Sequence, residues 1–71
     1  NCIAPSLTKS KISNFLLKNE TMAENIAKMH PLKRLGEGSD SSSVASFLLS
    51  DNSSWITGQI IGVDGGRSSL T

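Results

Sequence analysis

The sequence predicts an α/β fold in which two strands, one at each end of the chain, pair in parallel and are joined by helices. Residues 1–4 and 59–63 are short apolar runs whose β-branched residues suit strands buried on both faces. Apolar residues recur at helical spacing through much of the stretch between them. Because parallel strands need a long crossover, usually helical and right-handed, the order strand–helix–helix–helix–strand favours neighbouring parallel strands.

The first predicted strand ends at a proline, and a polar loop follows it. Pro5 has no backbone N–H to donate to a strand ladder, so we expect the strand to stop there. Residues 6–10 (Ser-Leu-Thr-Lys-Ser) then form a loop in which Thr8 and Ser10 are possible helix caps.

Two short helices are predicted after this loop, near residues 9–18 and 21–29, with a kink between them. The pattern Thr21-x-x-Glu24 is typical of a capping box and should open the second helix. Pro31 should close it, because the residue before a proline avoids the α region.

A third helix is predicted to begin at a cap formed by Ser39 or Asp40 and to end at about Ser50. Its inner face is predicted from apolar residues at helical spacing: Val44, Phe47 and Leu48, with Ala45 and Leu49 beside them. The chain should then turn at residues 51–54, enter the second strand at about Gln59 and finish in a polar, Gly-rich end.

The composition of this 71-residue chain excludes several classes of function. Seven basic residues face six acidic ones, which gives no electrostatic case for nucleic acid or an anionic membrane. One Cys and one His cannot build a zinc site, and no apolar stretch approaches the roughly 20 residues that span a bilayer. The first residue is Asn, so we expect the natural start to be missing, and we expect the chain to need support from protein outside it.

Three blocks of this sequence carry a family resemblance: Asn1-Cys-Ile-Ala-Pro5, Pro31-Leu-Lys-Arg-Leu-Gly36 and Trp55-Ile-Thr-Gly-Gln-Ile-Ile-Gly-Val-Asp-Gly-Gly66. Together they resemble the C-terminal part of a classical short-chain dehydrogenase/reductase. The resemblance implies that residues 1–71 are the C-terminal fragment of one NAD(P)-binding domain, a Rossmann-like doubly wound parallel sheet. The parent would transfer hydride between a nicotinamide and a carbonyl or alcohol.

The same resemblance implies that the chain is inactive alone. The family's catalytic Tyr-x-x-x-Lys pair and its Gly-rich loop lie upstream of this region, and this chain contains no tyrosine. No residue is therefore assigned a catalytic role, and no metal site is expected.

The resemblance also places a cofactor loop after the first strand. Pro5-Ser6-Leu7-Thr8-Lys9-Ser10 matches the family's Pro-Gly-x-x-x-Thr loop, which holds the nicotinamide end of NAD or NADP. The backbones of Pro5 and Thr8 and the hydroxyl of Ser10 would touch the cofactor, and Ser6 takes the place of the usual Gly. The alternative is that Thr8 and Ser10 only cap a helix.

Four other residues or segments have a possible role. Leu7, Ile12, Phe15 and Leu16 either line a substrate pocket or, as such stripes more often do, form core. His30 is expected to favour the helix dipole and not to be catalytic. Asp64 is expected to accept hydrogen bonds from turn amides. Gly36-x-Gly38 is rejected as a phosphate fingerprint, because the third Gly and the preceding strand are absent.

Other interpretations stay open. An enoyl reductase of the same superfamily ranks lower, because its last strand more often ends without the full Val-Asp-Gly-Gly. A stand-alone, non-enzymatic binding or oligomerisation module is the alternative from another class. The expected partners of the parent are a small carbonyl or alcohol substrate, the remainder of its own domain and further copies in a dimer or tetramer, contacted through 44–49 and 55–63. The expected location is the cytoplasm.

Overall fold

The computed structural model describes residues 1–11 and 13–70. These described residues form two strands, three α-helices and two 3₁₀ segments, in the following order: β1 (Cys2–Pro5), a 3₁₀ segment (Ser13–Lys18), α1 (Glu20–Lys28), α2 (Gly38–Leu48), a 3₁₀ segment (Asp51–Ser53), β2 (Ile60–Val63) and α3 (Arg67–Leu70).

The two strands pair in parallel, as the sequence predicts. The register places Ile3 opposite Ile61 and Pro5 opposite Val63. Asn1 extends the pairing beyond the ladder, since its side-chain oxygen accepts the backbone N–H of Gln59 at 2.9 Å. The long helical connection between the strands satisfies the crossover that parallel pairing requires.

Pro5 is the last residue of β1, so the strand does end at this proline, but the expectation that Pro5 lies outside the ladder was wrong. It occupies the last ladder position, opposite Val63. A proline is tolerated there because it still offers its carbonyl, and its missing N–H falls where the ladder ends.

The predicted helix over 9–18 is a 3₁₀ segment that begins only at Ser13. Two serines compete with helix formation before that point. The backbone N–H of Ser10 donates to Ser13 Oγ at 2.7 Å, and the N–H of Ser13 donates to Ser10 Oγ at 3.1 Å. Such local side-chain bonds offer the backbone an alternative to an α-helix. The predictions for Ile12 and for the side chains of Phe15 and Leu16 lie outside the described residues.

Helix α1 begins at Glu20 and is capped by Asn19, not by the predicted capping box at Thr21. Asn19 Oδ1 accepts the backbone N–H of Met22 at 3.2 Å. Thr21 lies within the first turn of the helix. The helix ends at Lys28, whose carbonyl accepts a hydrogen bond from Lys33 Nζ at 3.1 Å. Asn at this position satisfies an orphan amide better than Thr does on average.

Helix α2 begins at Gly38, so the predicted caps at Ser39 and Asp40 were wrong. Glu37 occupies the cap position, and its backbone N–H donates to Asp40 Oδ2 at 2.7 Å. Arg34 holds the same carboxylate with both guanidinium nitrogens, at 2.8 and 3.1 Å. These contacts, the hydrogen bond from Arg34 first, lower the pKa of Asp40 to about 2. Asp40 therefore organises the helix start from its third position.

The inner face of α2 is narrower than predicted. Val44, Ala45 and Leu48 are half-buried, whereas Phe47 and Leu49 are exposed. Apolar spacing indicates which residues share a stripe, but it does not say which edge of that stripe meets other residues of the same chain.

The polar end of the chain contains a short helix, α3, that the sequence pattern did not predict. The N–H of Arg67 donates to the Asp64 carbonyl at 3.2 Å, and the N–H of Ser68 donates to Asp64 Oδ2 at 3.3 Å. Gly65 and Gly66 precede the helix with positive φ values of 62° and 89°. This turn leads directly from the end of β2 into α3.

Few side chains are buried in this fold. Leu35 is the one buried hydrophobic residue of the part that the structure describes, at 8% exposure, and the buried polar residues there are Ser13, His30 and Ser53. Trp55 is 97% exposed and Leu49 is 89% exposed. Such apolar exposure is typical of a surface that packs against other protein.

Candidate cofactor site

The carboxyl ends of both strands open on the same edge of the sheet. The loop that follows β1 and the turn that follows β2 border a cleft of about 510 Å³, which is also lined by residues between His30 and Gly36. A second, shallower cavity of about 690 Å³ lies between Ala4–Leu7 and the start of α3. In open α/β sheets, ligands bind in the crevice outside the carboxyl ends of the strands.

The four predicted cofactor residues divide between these cavities. Ser6 and Thr8 line the cleft of about 510 Å³, while Pro5 and Ser6 line the shallower cavity. Ser10 lines neither of the two cavities. The structure thus brings Pro5, Ser6 and Thr8 to the edge of the sheet and leaves Ser10 farther along the loop; their contact with a cofactor stays a prediction.

The loop hydroxyls are hydrogen-bonded within the loop. Thr8 Oγ1 donates to the Ser6 carbonyl at 3.0 Å, so it does not cap a helix. Ser10 Oγ accepts the Ser13 N–H, which is the capping role left open by the sequence. Ser13 is buried, and its hydroxyl donates to the Thr8 carbonyl at 2.7 Å. These contacts hold the loop in one shape.

Ser6 occupies the position of the family's glycine without left-handed backbone. Among the described residues, Lys33 is the one non-glycine with a positive φ, at 59°. The loop therefore takes a conformation that a serine adopts without that penalty.

Gly36 joins the loop to the segment before α2. Thr8 and Gly36 form an isolated parallel bridge, with the Lys9 N–H donating to the Gly36 carbonyl at 2.9 Å and the Gly36 N–H donating to the Leu7 carbonyl at 3.1 Å. A Cβ on Gly36 would lie 2.8 Å from Thr8 Oγ1. The absence of a side chain is what allows this close approach.

His30 is the residue of this site that sequence reasoning missed. Its ring is 2% exposed, with Nδ1 2.8 Å from the Ile26 carbonyl in the last turn of α1 and Nε2 2.8 Å from Ser6 Oγ. The first contact agrees with the expected interaction with the helix end. The contact with Ser6 had no sequence signal beyond the serine at a glycine position, because 24 residues separate the two.

Asp64 has the structural role expected of it. The Ser68 hydroxyl donates to Asp64 Oδ2 at 2.5 Å and the Gly66 N–H donates to Oδ1 at 3.0 Å. These hydrogen bonds, that of Ser68 first, lower the pKa of Asp64. A carboxylate held in this way shapes the turn at the end of β2 and is a poor acid or base near neutral pH.

Within residues 1–11 and 13–70, no group of three or more His, Cys, Asp or Glu side chains could hold a metal ion. In the same part of the chain, no helix is long and apolar enough to cross a membrane.

Comparison with known proteins gives consistent matches over nearly the whole chain. A protein-family model described as enoyl-(acyl carrier protein) reductase matches residues 1–68. A tropinone reductase homologue from Arabidopsis thaliana is 42% identical over 66 residues, which cover 93% of this chain and 25% of that protein. A solved short-chain type dehydrogenase/reductase from Mycobacterium ulcerans superposes with a TM-score of 0.82 at 38% identity, covering 92% of this chain and 24% of that one.

A gluconate 5-dehydrogenase from Burkholderia cenocepacia, solved in complex with NADP and tartrate, superposes with a TM-score of 0.84 at 28% identity, covering 97% of this chain and 27% of that one. The chain thus spans about a quarter of the length of the relatives it matches. The parallel strand pair and its helical crossover are the corresponding part of a Rossmann-like α/β fold. On these matches the chain belongs to the short-chain dehydrogenase/reductase family.

Proposed function

We propose that this chain acts as the C-terminal segment of an NAD(P)-dependent oxidoreductase that transfers hydride between a nicotinamide and a carbonyl or alcohol. The observation that carries the proposal is the cleft at the carboxyl ends of β1 and β2, where the Ser6–Thr8 loop meets the turn after β2. In this proposal the catalytic groups come from elsewhere in the parent. Three points support it: the chain matches about a quarter of the relatives' length, it contains no tyrosine, and the family's Tyr-x-x-x-Lys pair lies upstream of this region.

The residues at the cleft suit the neutral end of such a cofactor. Ser6 and Thr8 supply backbone and hydroxyl groups there, which can bind a carboxamide. Arg34 also lines this cleft, but its guanidinium is paired with the Asp40 carboxylate and so does not need a phosphate as its counter-ion. We therefore propose that Pro5, Ser6 and Thr8 hold the nicotinamide end of NAD or NADP, with Ser10 supporting the loop through Ser13.

A chimera tests this proposal. In the Arabidopsis tropinone reductase homologue, this chain would replace the 66 matching residues. We expect the chimera to oxidise NAD(P)H with the host's carbonyl substrate, whereas a host truncated before this segment and the 71-residue chain alone should both be inactive. A folded chimera with no more turnover than the truncated host would contradict the proposal.

The sequence upstream of Asn1 in the transcript gives a second test. On the family's pattern, a Tyr-x-x-x-Lys pair should be encoded about thirty residues upstream, where the general acid/base of the parent would lie. A start codon directly before Asn1 would instead favour the stand-alone module.

Reduction of an enoyl thioester is a second candidate reaction, favoured by the description of the matching family model. The named relatives, a tropinone reductase homologue and a gluconate 5-dehydrogenase, favour the carbonyl reaction. NAD(P)H consumption by the full-length parent, with an enoyl thioester and a ketone offered separately, decides between them.

The exposed apolar residues support two proposed partners. Leu49, Trp55 and Ile60 are largely exposed, and we propose that they pack against the remainder of the domain or against another copy in a dimer or tetramer. Sedimentation of the full-length parent as a monomer would remove the second of these partners. A cytoplasmic location stays a prediction from the resemblance.

A further inference from the structure

His30 connects the end of α1 to the loop that follows β1. Its ring is 2% exposed, yet it borders the cleft together with Ser6. Nδ1 lies 2.8 Å from the Ile26 carbonyl and Nε2 lies 2.8 Å from Ser6 Oγ, so both ring nitrogens are hydrogen-bonded to neutral groups. One side chain thus spans from the helical crossover to the predicted cofactor loop.

The partner at Nδ1 decides what the ring does at Nε2. A carbonyl oxygen can only accept a hydrogen bond, so Nδ1 must carry a proton. In the neutral imidazole the other nitrogen then has none and acts as an acceptor. With the ring in this neutral form, Ser6 donates its hydroxyl proton to Nε2.

This hydrogen bond to His30 decides whether Ser6 can act as a donor or as an acceptor toward a ligand in the cleft. With its one proton bound to His30, Ser6 Oγ can offer the cleft only lone pairs. Lone pairs attract an N–H donor and repel the oxygen of a phosphate or carboxylate. A serine free to rotate would serve either kind of ligand equally.

We propose that His30 is a positioning residue that holds the Ser6 hydroxyl as an acceptor, so that the cleft selects a ligand group with an N–H donor at Ser6. The inference rests on the proposed function, in which that donor is the carboxamide NH₂ of a nicotinamide cofactor. The competing interpretation is that His30 is only a buried histidine whose hydrogen bonds are satisfied; that role would affect stability and all ligands alike.

The test compares two cofactors in the chimera. NADPH carries the carboxamide, and its 3-acetylpyridine analogue has a methyl group where the NH₂ stands. One hydrogen bond is worth about 1–1.5 kcal/mol, so we expect the unsubstituted chimera to bind NADPH about tenfold more tightly than the analogue.

Three variants separate positioning from packing. Ser6→Ala and His30→Leu should both lose most of that tenfold preference. Ser6→Ala does so while the His30 ring stays in place. His30→Gln should restore much of it, because its amide oxygen can accept from Ser6. Dissociation constants come from quenching of protein fluorescence. A preference that stays the same in all three variants, or that falls equally in His30→Gln and His30→Leu, would overturn the proposal.

Nitrogen NMR of the ¹⁵N-histidine-labelled chimera is the second measurement, and it needs no ligand. The His30 signals are identified by their loss in His30→Gln. A proton on Nδ1, with an Nε2 shift that changes in Ser6→Ala, supports the proposal, and a neutral ring with its proton on Nε2 overturns it. If the chimera binds no dinucleotide, the proposed function fails, and this spectrum then decides the role of His30 by itself.

Discussion

Gly36 is one of the residues at which the segment after α1 contacts the loop that follows β1. A Cβ there would lie 2.8 Å from Thr8 Oγ1, on a β-branched side chain with little freedom to move away. We expect Gly36→Ala to displace Thr8, weaken its bond to the Ser6 carbonyl and lower the free energy of unfolding of the chimera by about 1–3 kcal/mol. Urea unfolding measures this.

Gly38→Ala is the matched control for that substitution. Gly38 opens α2, and a Cβ there meets no atom within 4 Å. Alanine is also the better helix former, so the control should be neutral or slightly stabilising. Equal effects of Gly36→Ala and Gly38→Ala would mean that the close approach to Thr8 does not constrain this site.

Asp40 should make stability depend on acid in a defined window. Its pKa is about 2 in the folded protein, against an ordinary value near 3.8, because Arg34 and the Glu37 N–H bind its carboxylate. A lowered pKa gives stability that is fully present above about pH 4 and is lost as pH falls toward 2. In the chimera, Asp40→Asn should therefore lower the unfolding midpoint at neutral pH and flatten its acid dependence, measured by urea unfolding at successive pH values.

Asp51→Asn is the control for Asp40, since Asp51 is an exposed carboxylate outside the Arg34 pair. It should leave the acid dependence of the unfolding midpoint close to that of the unsubstituted protein. High salt should narrow the difference between the two variants, because this ion pair lies at the surface. If Asp40→Asn kept the full acid dependence, the stabilising role given to the Arg34 contact would be wrong.

At the scale of elements, the strands were predictable and the helix starts were not. Ile3 and Ile61 lie in short apolar runs joined by a long helical connection, which favours a parallel pair, and they do pair in parallel. The start of α1 depended instead on which of two neighbouring polar residues, Asn19 or Thr21, captured a free amide. That choice involves differences of a few tenths of a kcal/mol, which residue type alone does not resolve.

Asn19 and Thr21 offer a direct comparison of the two caps. The structure gives the capping bond to Asn19, so Asn19→Ala should cost about 0.5–2 kcal/mol of unfolding free energy in the chimera. Thr21→Ala should be nearly neutral, because Thr21 lies within the first turn and alanine is the better helix former. The reverse order of effects would restore the capping box that the sequence indicated.

At the scale of the whole molecule, the resemblance indicated the loop after β1 but not the contact that His30 makes with it. The position of Pro5, Ser6 and Thr8 at this edge of the sheet was predictable, because a loop that leaves a parallel strand faces the ligand crevice. His30 was not, because its bond to Ser6 joins residues 24 positions apart through the tertiary fold. Sequence pattern reports local periodicity, whereas this contact depends on where the tertiary fold places the end of α1 relative to the loop after β1.

The last prediction concerns whether these 71 residues can fold by themselves. Two strands of four residues make a sheet that is marginal in water, and Leu35 is the one buried hydrophobic residue in the described part of the chain. Little apolar burial is then available to offset the conformational entropy of ordering the chain. We expect the isolated chain to lack a cooperative thermal transition by circular dichroism, and the chimera to show one. A sharp, two-state transition in the isolated monomer would instead identify a self-sufficient module, and the interpretation of the exposed Trp55 and Leu49 as surfaces covered within a larger protein would fail with it.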